Sequence, residues 1–178
     1  MYRVAVVQPG AGKRVAQVLT LSQVGEAIRD GASRVTGGEP FHIASENTFV
    51  HNNVVTTLSL ARTQGMVLGP AQECGVDRTI LFVSPGTWRA AVYPRGWLRG
   101  MALEHGVRLV KGRPKGKDKK NLEKAAAFRF IPERCPEAEE LLDGAAEVLG
   151  VDRERIPDVL EAIGVAMYAR DKINGRWN

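Results

Sequence analysis

Three carboxylates stand where carboxylates can do chemistry. Glu46 follows the apolar run of residues 41–45, at the end of an expected strand. Asp158 and Glu161 are three apart near the start of an expected final helix, so both point to one side of it. They lie at the edge of a packing face formed by Val159, Ala162, Ile163, Ala166 and Met167. Brought beside Glu46, they would make a cluster of oxygen ligands for Mg²⁺. Crowded carboxylates repel, and a bound divalent cation would be the reason to keep them together. Two such ions activate a water and stabilise the leaving oxygen of a phosphodiester. A plainer reading also fits: Asp158 favours a helix N-terminus and Glu161 is surface. Spacing alone favours the plainer reading.

A second group of residues is basic. From Arg89 to Arg129 there are 12 Lys and Arg against 3 acids, and from Glu133 to Glu161 there are 10 acids against 3 Arg. The net charge of +5 is the small difference between such separated terms. The basic stretch is densest at Lys111-Gly-Arg113-Pro-Lys115-Gly-Lys117-Asp-Lys119-Lys120. It reads either as a solvated loop or as a patch that attracts a phosphate backbone through counterion release. Trp88, Tyr93 and Trp97 interleave with Arg89, Arg95 and Arg99 just upstream. Such a mixture suits stacking on unpaired bases, and equally suits core packing.

Other chemistries lack their residues. Pro9-Gly10-Ala-Gly-Lys13-Arg14 has neither the gap nor the Lys-Ser/Thr ending of a phosphate loop. His42, His51 and His105 have no partner pattern. Cys74 and Cys135 are 61 apart, which excludes a disulfide framework and argues for free thiols. Apolar residues are 44% and charged residues 25%, as in an ordinary globular chain. No apolar stretch approaches a membrane span and no secretory leader opens the chain, so a cytoplasmic protein is expected.

The elements that must position these residues follow from periodicity and turn signals. Residues 2–7 and 14–21 read as a strand hairpin about the turn Pro9-Gly10-Ala-Gly12. Ser22 caps a helix over 23–35. A strand over 41–45 is followed by helices over 52–64 and 66–73, and then by an apolar strand over 78–83. Helices are expected at 86–93, at 119–129 behind a cap at Asp118, from Pro136 to Gly150, and from Pro157 to about Lys172. The order is that of a single α/β domain spanning residues 1–178. Its mixed sheet starts antiparallel, ends with helix-separated parallel strands, and has flanking helices.

Several segments in order resemble the RuvC family of Holliday-junction resolvases. Ile43-Ala-Ser-Glu46-Asn-Thr-Phe49 is similar to that family's strand ending in a catalytic glutamate. The run from Asn52 to Gly65 resembles the helix after it, and Ser84-Pro-Gly-Thr-Trp-Arg-Ala-Ala-Val92 resembles a proline-led segment before the DNA-facing region. Lys117-Asp-Lys-Lys-Asn-Leu122 resembles the next helix start. Asp158-Val-Leu-Glu161-Ala-Ile-Gly-Val-Ala166 resembles the C-terminal helix with its two carboxylates. Relative to the family, residues 98–116 look like a basic insertion.

The resemblance implies an RNase H-like fold and a homodimer that cuts four-way DNA junctions in recombination and repair. It implies Mg²⁺, or Mn²⁺ in its place, held by four acids. Glu46, Asp158 and Glu161 match three of them, with Glu161 where the family usually has Asp. The fourth is an Asp in an Asp-Pro-Gly motif. Either Gln8-Pro9-Gly10 takes its place, with the Gln8 amide as ligand, or the family's first strand is missing from this chain. Lys119 or Lys120 would position the phosphate. Arg89, Arg95, Arg99, Lys111, Arg113, Lys115 and Lys117 would join them along the DNA groove. The alternatives are a catalytically impaired junction-binding protein, or an RNase H-like nuclease for another branched or hybrid substrate.

Overall fold

The structure is a computed structural model. It describes residues 42–47 and 80–175, together with single helical positions between 26 and 34 and between 58 and 69. The chain divides into two compact units, one running to Ser84 and the other starting at Pro85.

In the first unit, β1 (Ile43–Glu46) pairs with β2 (Ile80–Val83) in parallel, Ile43 opposite Ile80 and Glu46 opposite Val83. β2 is wholly apolar and β1 begins with Ile43 and Ala44, which suits a pleated, part-covered surface. Parallel pairing needs a long crossover between the strands. The described positions 58, 61, 64, 65, 68 and 69 within that crossover are helical.

The RNase H-like mixed sheet expected from the resemblance is not found. Among the described residues the sheet has two strands, and they run parallel. The antiparallel strands expected over 2–7 and 14–21 lie outside the described residues, as does Gln8. Apart from an isolated bridge between Val110 and Arg113, the regular structure described after Val83 is helical. Helices were expected there, so the departure from the expected sheet lies in its strands: only β1 and β2 are found among the described residues.

The second unit is a helical assembly. α1 (Pro85–Val92) is followed by α2 (Trp97–Glu104), α3 (Gly116–Arg134), α4 (Glu137–Leu149), a 3₁₀ turn (Arg153–Arg155) and α5 (Pro157–Ile173). Pro85 and Pro157 each open a helix, where the missing N–H costs nothing. α4 carries Glu137, Glu139 and Glu140 in its first turn, against the positive end of the helix dipole. It ends at left-handed Gly150. Gly150 N–H donates to the Glu147 carbonyl and Val151 N–H to the Ala146 carbonyl, closing a Schellman motif. The same pattern closes α2 at Gly106.

α3 runs past its expected end at 129, through Pro132. One backbone bond is lost there. Burial of Phe130 and Ile131 offsets that loss, and Arg134 Nη1 donates to the last carbonyls of α1, Ala91 at 3.0 Å and Val92 at 2.8 Å. Asp118 lies in the first turn of α3 and does not cap it; the N-cap is Lys115. α5 buries Leu160, Ile163, Gly164, Val165 and Met167, whereas Ala162 and Ala166 of the expected packing face are exposed. Trp88 of α1 is fully buried. A Cβ at Gly164 would lie 2.6 Å from its Cζ3, so only glycine lets the indole lie against α5. Among the described residues no helix is long and apolar enough to cross a membrane.

Candidate nucleic-acid interface

The basic stretch folds into a defined surface of the helical unit. Gly96, in the left-handed region at φ 77°, turns the chain into α2. This short helix occupies the first part of the expected insertion. Val110 and Arg113 then exchange backbone bonds, Val110 N–H to the Arg113 carbonyl at 2.9 Å and the reverse at 3.2 Å. Lys111 and Gly112 between them have φ of 52° and 76°. Two positive φ values in a two-residue connection mark the tight turn that matches strand twist. Glycine takes that conformation freely, whereas Lys111 bears a steric cost of about 1 kcal/mol.

Between the start of α2, this turn and the start of α3 lies a cleft of about 480 Å³. Trp97, Leu98, Arg99, Arg113, Pro114, Lys115 and Lys119 line it, with Gly96 and Gly112. It has four cationic residues and no acid. Arg99, Arg113 and Lys115 are exposed, and among the described residues none has an acidic partner. Lys119 Nζ lies 3.5 Å from Glu123 Oε1. Arg95, Lys111, Lys117 and Lys120 are also exposed nearby in the sequence.

Arg89 is placed differently. Its guanidinium Nη2 donates to Glu161 Oε1 at 2.8 Å, and Nη1 lies 3.3 Å from Glu123 Oε1. It also stacks over the Trp88 ring, 5.1 Å from the centroid. Only 14% of the Arg89 side chain is exposed. Its two terminal nitrogens are thus paired inside the helical unit, while its buried Nε has no hydrogen-bond partner among the described residues. Sequence alone gave no sign of this pairing, which spans 72 residues.

The aromatic residues divide in the same way. Trp88 and Tyr93 are buried and meet edge to face, with centroids 5.4 Å apart. Trp97 packs edge to face on Tyr93 at 5.0 Å, yet it is only half-buried and lines the cleft.

The carboxylates expected to hold metal are less supportive. Glu46 is the last residue of β1 and half-buried; its backbone carbonyl accepts from Gln64 Nε2 at 2.8 Å. Asp158 is exposed in the first turn of α5, and Glu161 is engaged by Arg89. Among the described residues no group of three or more His, Cys, Asp or Glu could hold a metal ion. Mg²⁺ demands a nearly ideal octahedron of oxygens. Glu46 belongs to the first unit, and Asp158 and Glu161 belong to the second. Cys135 is a free thiol that is buried; burial, then its contact with Glu137, pushes its pKa up.

No protein-family model matches the chain, and no curated protein and no solved structure matches it either. Sequence reasoning had the cationic residues of the cleft but not its apolar lining, Leu98 and Pro114.

Proposed function

We propose that this chain binds branched DNA and grips its phosphate backbone with the cleft of α2 and α3. One observation carries the reading: Arg99, Arg113, Lys115 and Lys119 line one cleft that contains no acid. Exposed cations in a group attract a polyanion and release its counterions. The preference for a branch rests on the ordered RuvC-like segments in the sequence. The partner would be a four-way junction held by a homodimer, in the cytoplasm of a bacterial or infected cell.

Junction cleavage with Mg²⁺ is the second reading. It is favoured by Glu46, Asp158 and Glu161 standing in that family's order. The Arg89–Glu161 ion pair favours binding without cutting. A labelled four-way junction incubated with the protein and Mg²⁺, beside a Glu46→Gln control, tests both. Tighter binding to the junction than to plain duplex is expected. Nicking that disappears in Glu46→Gln establishes the endonuclease. Binding without nicking removes it and keeps the first reading. Equal affinity for junction and duplex overturns the branch preference.

A further inference from the structure

The cleft offers more than charge. Trp97, Leu98 and Pro114 give it an apolar wall, while Arg99, Arg113, Lys115 and Lys119 supply the cations. A phosphate backbone alone has no use for the apolar part. At about 480 Å³ the cleft is within the usual size of sites that enclose a small ligand. Trp97 packs edge to face with Tyr93, which itself packs on Trp88 and Phe130. An indole held by an aromatic cluster, half-covered and beside cations, is a stacking platform. Gly96 and Gly112 have open space within 4 Å of where a Cβ would stand, so side-chain bulk does not crowd the lining at these two points.

We infer that the cleft takes one unpaired nucleotide of a DNA strand, its base against Trp97 and its phosphates on Arg113, Lys115 and Arg99. This rests on the DNA-binding reading and specifies which part of a branched molecule the site holds. A base still paired within a duplex keeps its face covered by its neighbours. An unpaired base at a branch point exposes its face, and every base has one, so the contact tolerates any sequence.

The test compares a short deoxythymidine strand with a blunt duplex of equal length. Trp97→Ala is expected to weaken strand binding about tenfold and to leave duplex binding nearly unchanged. Trp97→Phe keeps most of the affinity, because a ring remains. Since Trp97 packs on Tyr93, a second measurement uses the native indole. In a Trp177→Phe background Trp88 is fully buried, so quenching by the strand reports Trp97. Quenching by the strand and none by the duplex supports the inference. Equal loss on strand and duplex in Trp97→Ala, or no quenching by the strand, overturns it. The double variant Arg113→Ala with Lys115→Ala separates the two readings. If it weakens all DNA binding while Trp97→Ala changes nothing, stacking is refuted and phosphate binding stands. If neither variant affects any DNA, the DNA-binding reading itself falls.

Discussion

Two charged regions of the helical unit use the same residue types in opposite ways. Around Arg89, charges face one another: Arg89, Glu123 and Glu161 meet within 3.3 Å, with side chains 14%, 19% and 21% exposed. Around Arg113, charges face solvent: Arg99, Arg113 and Lys115 line the cleft with no acidic partner among the described residues. In the first region, desolvation makes each charge depend on the others. In the second, nothing in the described fold depends on the charges being there. Charges that stability does not require, gathered on one surface, are available for a partner. Lys119 joins the two regions, lining the cleft while lying near Glu123.

Arg89→Ala should break the first region and give the largest effect. It removes the cation shared by two part-buried carboxylates, and a loss of about 2 kcal/mol is expected, less than for a fully buried pair. Urea denaturation measures it. An unchanged midpoint would mean that the network is only a surface decoration.

Arg113→Ala with Lys115→Ala should act on the second region alone. Stability should change by less than about 0.5 kcal/mol. Affinity for duplex DNA should fall, and the slope of log affinity against log salt should drop by about two. Titrations at several salt concentrations provide the check. A large fall in melting temperature would erase the contrast between the regions.

Lys111→Gly sharpens the contrast by acting on the turn between the cations, with no loss of DNA affinity comparable to that of the double variant. Removing the left-handed strain should stabilise the unit by about 1 kcal/mol. Calorimetry reads the rise in melting temperature. If the protein is destabilised instead, Lys111 makes a contact that outweighs its strain.

Local signals in the sequence carried much of the helical unit. Pro85, Pro157 and Gly150 mark helix ends that the structure retains, and the apolar runs before Glu46 and Ser84 form paired parallel strands. α2 was missed because eight residues with a central Gly100 give little periodicity to read. α3 continues past 129 because burial of Phe130 and Ile131 carries the helix through Pro132, and packing of that kind leaves no local signal. The fold expected from the resemblance failed because similar short segments do not dictate how strands pair. At the candidate site the cations were legible as a run. Their separation into paired and unpaired members was not, since Arg89 finds its partner 72 residues away.

The close approach of Gly164 to Trp88 has a consequence for how α1 and α5 can move. The indole sits where a methyl group would collide, 2.6 Å from its Cζ3 and 3.0 Å from Ile131 Cδ1. Along the part of α5 packed on it, one position offers that slot. Sliding α5 by a turn would bring Leu160 or Tyr168 into it, and either would force the indole out. The contact therefore acts as a key that admits one register between the two helices. Substitution at position 164 would put the whole interlock at risk, whereas the exposed glycines of the cleft constrain only their own turns.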